Sequence, residues 1–206
     1  HADTLQYTPG SRSVYSDFDM ILLGEVIEAV TGDDLDDVFE REIFAPLGMA
    51  ATGFRRPGAV DPDAAPTERD QVWRGRTLQG EVHDEAASVM GGVAGHAGLF
   101  STARDLARFG FLLANGGEAY GTRLFRRTTI DQYTRPIRLR GTYPMGLGWM
   151  LQSTDRSYSA AGSLFGPRSF GHTGFTGTSI WVDPDQELFV VLLSNRVHPT
   201  RRNRRI

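Results

Sequence analysis

The chain has 206 residues, 40% hydrophobic and 23% charged, with a formal net charge of −3 at neutral pH. That length supports one sizeable core or two small subdomains. The acidic balance gives no reason to expect a nucleic-acid partner, and no apolar run approaches the ~18 residues of a membrane span. Cysteine is absent, which excludes a disulfide framework, a thiolate nucleophile and a zinc–thiolate centre and leaves the compartment open.

The chain opens on His1-Ala2-Asp3 without an initiator methionine, so a native start, and any signal segment with it, is expected upstream. Thr8-Pro9-Gly10 is a turn signal. From Phe18 the apolar residues Phe18, Ile21, Leu22, Val26, Ala29 and Val30 recur at a helical period. Ser16 or Asp17 can cap that helix and Gly32 fits its end. A second helix is expected from Asp34 to Phe44, with Leu35, Val38, Phe39 and Ile43 on one face, stopping at Pro46. Residues 53–76 carry prolines and charges without a period and read as a long surface excursion. The glycine-rich GGVAGHAGLF lacks the Gly-Lys-Ser/Thr ending of a phosphate loop.

Thr102 and Asp105 resemble a capping box that uses Asp in place of Glu or Gln. The helix they open has Leu106, Phe109, Leu112 and Leu113 as its buried stripe. A short helix follows near Thr128 to Tyr133. Strands are expected at Gly148–Leu151, Ser169–Phe175, Thr178–Val182 and Leu188–Ser194, with a hairpin turn at Asp183-Pro184-Asp185-Gln186. Helices first and an antiparallel sheet last make an α+β chain. All 22 basic residues are arginines. Arg196, Arg201, Arg202, Arg204 and Arg205 crowd the C-terminus and read as a solvated tail or the start of a helix.

Two clusters carry candidate chemistry. Tyr15-Ser16-Asp17 stands at the mouth of the first helix. A phenol with an ordinary pKa of about 10 serves as a base only beside cationic or hydrogen-bonding neighbours. The helix N-terminus is expected to favour its phenolate; packing against the helix is the plainer role. Asp17 can cap the helix, orient a catalytic partner or hydrogen-bond a substrate amide. The second cluster, His172-Thr173-Gly174, sits on an expected strand whose alternate side chains would face a cleft. The following N–H, on Phe175, could donate to a developing oxyanion, a contribution of roughly 10²–10³ in rate. As an ordinary strand, this segment has an oddly polar and glycine-rich centre.

His83, Asp84 and His96 could form a metal site, but their spacing fits no zincin motif, and loop or supporting roles suit them better. No Gly-x-Ser-x-Gly elbow is present. The nearest approach to Ser-x-x-Lys is Ser101-Thr102-Ala103-Arg104, and a guanidinium cannot give up its proton at working pH. With no lysine in the chain, no hydroxyl has a base beside it in sequence. The site is expected to be incomplete within these 206 residues.

The ordered clusters resemble the serine beta-lactamase and penicillin-binding protein superfamily, in its class C-like branch of carboxypeptidases, esterases and beta-lactamases. That family uses Ser-x-x-Lys, then Tyr-x-Asn, then Lys/His-Thr/Ser-Gly. Tyr15-Ser16-Asp17 resembles the second element, with Asp where Asn is commoner, and His172-Thr173-Gly174 the third. Longer segments agree, among them TPGSRSVYSDFDMILLGEVIEAVTG, GGVAGHAGLFSTARDLARF and FGHTGFTGTSIWVDPDQELFVVLLSNRVHP.

The resemblance implies a beta-lactamase/transpeptidase-like fold in a single domain over 1–206, with a mainly helical lobe over 1–140 and terminal sheet strands over 141–206. It places the Ser-x-x-Lys helix and two strands upstream, or on a partner chain, and a closing helix just beyond Ile206. Tyr15 takes the role of general base and acid, Asp17 that of the residue binding the substrate amide. His172 and Thr173 face the substrate carboxylate beside Gly174, and Phe175 N–H supplies half of an oxyanion hole. The implied activity is hydrolysis of D-alanyl peptides, esters or beta-lactams through an acyl-enzyme, with no metal and no organic cofactor. The substrate would be a small-molecule or peptide acyl compound. The lack of lysine and the acid at position 17 suggest an alternative, a non-catalytic relative that binds cell-wall peptide or a partner protein.

Overall fold

The computed structural model describes residues 5–56, 58, 61–137, 144–153 and 159–203. The expectations placed on His1, Arg204 and Arg205 fall outside them.

Helix α1 (Asp17–Thr31) starts where Ser16, in extended backbone, lets its hydroxyl accept from Phe18 N–H at 3.2 Å. Such a cap contributes about 1 kcal/mol. It ends at Gly32, whose φ of 77° suits a residue without Cβ and whose N–H closes on Glu28 O at 2.8 Å. The span and caps match the expectation. Gly24 is its only fully buried residue, while Phe18, Leu22, Val26 and Val30 remain exposed. Among the described residues, α1 is held instead by close backbone approach. A Cβ on Gly24 would meet Gly95 N and Leu35 Cδ2 at 3.4 Å, and one on Gly95 would lie 2.0 Å from Met20 O.

The expected second helix is three pieces: α2 (Leu35–Phe39), a π-helical turn (Glu40–Phe44) and α3 (Ala45–Leu47). Pro46 does not stop it. The proline occupies the first turn of the last piece, where a missing N–H costs little, and Gly48 at φ 65° ends the run.

The excursion over 53–76 is also more built than its composition suggests. It holds β1 (Gly53–Phe54), β2 (Arg69–Asp70) and the start of β3 (Arg76–Thr77). Leu78 is fully buried. The Asp70 carboxylate accepts the N–H groups of Val72, Trp73 and Arg74 together with the Arg74 guanidinium. Helix α4 (Glu85–Val89) and β4 (Leu99–Phe100) follow, β4 pairing with β1.

Helix α5 (Ala103–Ala114) is capped by Thr102, whose hydroxyl accepts Asp105 N–H at 3.2 Å. Only this half of the expected capping box forms. The short Asp105 side chain turns away and accepts from Ala51 N–H at 2.8 Å and the Thr52 hydroxyl at 3.0 Å. Beyond a small ribbon, β5 (Glu118–Ala119) with β6 (Thr122–Arg123), comes α6 (Arg127–Tyr133).

The sheet consists of β7 (Met150–Leu151), β8 (Phe170–Gly174), β9 (Thr178–Asp183) and β10 (Leu188–Leu193), in the order β10-β9-β8-β7 and antiparallel throughout. Buried Asp183 fixes the expected hairpin turn by accepting Asp185 N–H at 3.0 Å and Gln186 N–H at 3.2 Å. α5 lies on the sheet so closely that a Cβ on Gly110 would be 2.6 Å from Phe189 Cδ2. Its Leu113 joins Leu151, Phe170 and Val182 in one core cluster, and its Leu112 joins Phe44, Leu47, Met49 and Ala119 in another. The fold is therefore α+β. Among the described residues, no helix is long and apolar enough to cross a membrane.

Candidate active site

The two clusters, 157 positions apart in sequence, meet in space. The Tyr15 and His172 rings lie 6.1 Å apart between centroids, tilted by 32°. Tyr15 precedes the cap of α1, and His172 sits in the middle of β8. Their backbone supports are close approaches that only glycine permits. Gly95 lies under Met20 of α1, and Gly171 lies against β9, where a Cβ would stand 2.2 Å from Ile180 O.

β8 runs three residues beyond its pairing with β7. Phe170 and Gly171 pair on that side, whereas His172, Thr173 and Gly174 pair only with β9. This leaves the edge open along the triad. Half-buried His172 holds its Nδ1 2.8 Å from Thr173 O. A carbonyl only accepts, so Nδ1 carries the proton and Nε2 is left for other partners. Thr173 is exposed, and its hydroxyl faces Met150 Sδ at 3.9 Å. Gly174 O accepts Gly177 N–H at 3.0 Å, closing a turn through Phe175. At Gly174 a Cβ would lie 2.3 Å from the Thr178 hydroxyl.

Asp17, the first residue of α1, is exposed. The expectation that the helix start favours a phenolate is corrected here. Desolvation of the Tyr15 phenol and, next, the Asp17 carboxylate raise its pKa above the usual tyrosine value. Loss of water around the phenol and a carboxylate two residues away both disfavour the phenolate. Tyr15 thus needs a cation beside it before it can take a proton.

The other candidates are engaged elsewhere. His83 is buried with Nε2 3.1 Å from a Glu68 oxygen, and His96 Nε2 is 2.9 Å from Asp84 Oδ1. They belong to separate pairs, and among the described residues no three His, Cys, Asp or Glu side chains are grouped to hold a metal. The Ser101 hydroxyl bonds to that of Thr52 at 2.7 Å, in the network that anchors α5.

Three residues named in the sequence, His83 with a loop or supporting role and Arg196 and Arg201 in the C-terminal cluster, make contacts beside the site that the sequence does not announce. The His83 ring stacks on Phe175, with 5.7 Å between centroids and an angle of 24°. The Arg196 guanidinium sits 4.6 Å from the centre of the same ring, and its Nε donates to Phe175 O at 3.0 Å. Arg201 binds Glu68 and Glu85. The expected solvated C-terminal arginines are thus structural at these two positions. No local pattern announces such contacts, which join positions far apart in the chain.

Comparison with known proteins bears on the family and the fold. A family model described as Beta-lactamase matches residues 2–206. A protein of Salmonella typhi named "Putative D-alanyl-D-alanine carboxypeptidase" is 41% identical over 207 residues, covering 94% of this chain and 48% of the relative. The chain therefore spans about half the length of that relative. Among solved structures, a beta-lactamase from Mycobacterium bovis aligns with a TM-score of 0.66 at 23% identity, covering 95% of this chain and 61% of its own. A penicillin binding protein from Bacillus halodurans aligns with a TM-score of 0.67 at 18% identity, covering 93% and 54%.

Proposed function

This chain belongs to the beta-lactamase family of serine hydrolases, and on that premise we propose that it forms two walls of an acyl-transfer site acting on D-alanyl peptides, esters or beta-lactams. The observation that carries the reading is the approach of Tyr15 to His172, a phenol and an imidazole on an open strand edge. A serine hydroxyl attacks the substrate carbonyl and passes its proton to the Tyr15 oxygen. Phe175 N–H donates to the oxyanion that forms. As the carbonyl is restored, the leaving group departs with the proton returned by Tyr15. Water then repeats the sequence on the acyl-enzyme. With its Nδ1 proton committed to Thr173 O, His172 binds a substrate carboxylate when Nε2 is protonated too, and the Thr173 hydroxyl stands beside it.

The serine and the cation that Tyr15 needs are proposed to come on a segment outside these 206 residues, or on a partner chain, since the sequence has no Ser-x-x-Lys and no lysine. The exposed face of α1, with Phe18, Leu22, Val26 and Val30, supports this. Burying each such side chain contributes about 1.5–3 kcal/mol, so the segment that brings the nucleophile would also complete the core. The test is to incubate the full-length protein with a fluorescent penicillin and a nitrophenyl ester. Covalent label and turnover, both strongly reduced in Tyr15→Phe, are expected. Neither label nor turnover, with Tyr15→Phe indistinguishable from wild type, would refute the reading.

A further inference from the structure

The residue after the His-Thr-Gly triad is held by a side chain from the segment before α4. Phe175 is 59% exposed and contributes to none of the core clusters. Its N–H lies in the short turn closed by Gly177 N–H on Gly174 O. Ser194 and Arg196 donate their N–H groups to Gly177 O and Thr176 O, the Arg196 Nε donates to Phe175 O, and the His83 ring stacks on the Phe175 ring.

His83 is in turn held rigidly. Its side chain is 7% exposed or less, and Nε2 faces the Glu68 carboxylate. Desolvation raises the Glu68 pKa, but Arg201, through its N–H and guanidinium, and His83 together bring it below the usual glutamate value. Glu68 is thus an ionised acceptor, so His83 donates from Nε2 and its ring plane is set. Arg201 reaches Glu68 across 133 positions and also pairs with Glu85 at the start of α4. The chain from α4 through Arg201, Glu68 and His83 to Phe175 links the core to the turn.

We propose that His83 is a positioning residue for acyl transfer. By stacking on Phe175 it fixes the turn whose N–H meets the oxyanion. The proposal rests on the hydrolase reading above. Packing alone predicts that loss of His83 lowers stability and leaves the balance of kcat and KM untouched. Positioning predicts a defect confined to the transition state.

The experiment measures nitrophenyl ester hydrolysis, penicillin acylation rate and Tm for full-length wild type, His83→Ala and His83→Phe. His83→Ala is expected to lower kcat about 10- to 100-fold with KM within ~3-fold, because a displacement near 1 Å costs up to ~10² in rate. His83→Phe keeps an aromatic stack and loses the Glu68 bond, and should recover kcat to within ~5-fold of wild type. A His83→Ala enzyme with wild-type kcat overturns the proposal and leaves the hydrolase reading standing. So does a His83→Phe enzyme as slow as His83→Ala, or, where His83→Ala fails to fold, a folded His83→Phe that has lost its turnover. No turnover in wild type brings down both.

Discussion

Replacing Gly171 by alanine tests the geometry that sets His172. Gly171 has ordinary negative-φ backbone, so alanine carries no conformational penalty there and any cost is steric. The added Cβ would stand 2.2 Å from Ile180 O and 2.6 Å from Trp181 Cδ2. An ordinary carbon–oxygen contact is about 3.3 Å, so β8 must move away from β9 by roughly 1 Å. Ile180 is the register partner of His172 and Trp181 that of Gly171, so the ladder opens at the site itself. Losing about two ladder hydrogen bonds at ~1 kcal/mol each, with overpacking of ~1–3 kcal/mol, gives a destabilisation of about 3–5 kcal/mol. At ~2–4 °C per kcal/mol this lowers Tm by about 6–20 °C. The same displacement moves His172 relative to Tyr15 and should reduce kcat by ~10². Gly53→Ala is the control: its Cβ would meet only the mobile end of Arg55, at 3.4 Å. Calorimetry and ester hydrolysis on full-length protein decide the matter. A Gly171→Ala protein with the Tm and kcat of Gly53→Ala would refute the close-packing account of β8.

Gly95→Ala should act on the opposite wall. With its Cβ 2.0 Å from Met20 O, α1 must shift, and kcat should fall ~10-fold or more as Tyr15 moves, checked against an unchanged Gly53→Ala. In Asp17→Asn the second cause of the raised Tyr15 value disappears. The phenol then ionises at lower pH, so the rising limb of kcat/KM against pH should move toward acid, and a limb that moves toward alkali or stays in place contradicts the assignment. Glu68 has a depressed folded value, so its contribution to stability is full above the ordinary glutamate pKa of 4.5 and is lost as pH falls through the folded value. Glu68→Gln should therefore cost about 2 kcal/mol near neutrality, with the gap from wild type closing as pH falls through the depressed Glu68 value, in urea titrations at several pH values.

The parts legible in the sequence are those whose causes are local. Ser16 and Gly32 bound α1 because a cap and a left-handed terminus are decided within a few residues. The His172-Thr173-Gly174 strand and its neighbours were legible because period-2 patterning and the Asp183 turn are local too. What covers the α1 stripe is not legible, because periodicity reports that a face is apolar and says nothing of its partner. Pro46 was misread as a stop because its position within a helical piece, which composition does not give, decides its cost. The role of 53–76 was hidden for another reason. Its order comes from Asp70 gathering backbone N–H groups and from Glu68 meeting Arg201 133 positions away, contacts that leave no periodic trace.

The site's geometry is thus governed less by bonds between its two walls than by what lies behind each. Tyr15 depends on how closely α1 can approach the glycine-rich loop at Gly95, and His172 on how closely β8 can approach β9 at Gly171. Both approaches are below 2.5 Å for a hypothetical Cβ, where no side chain could be accommodated without backbone movement. The turn after the triad is crowded at Gly174, whose Cβ would lie 2.3 Å from the Thr178 hydroxyl, and its exposed Phe175 is held by the His83 ring and the Arg196 guanidinium. On the proposed reading, substitutions at His83 should alter rate without altering the Tyr15–His172 distance, whereas substitutions at the two glycines should alter both.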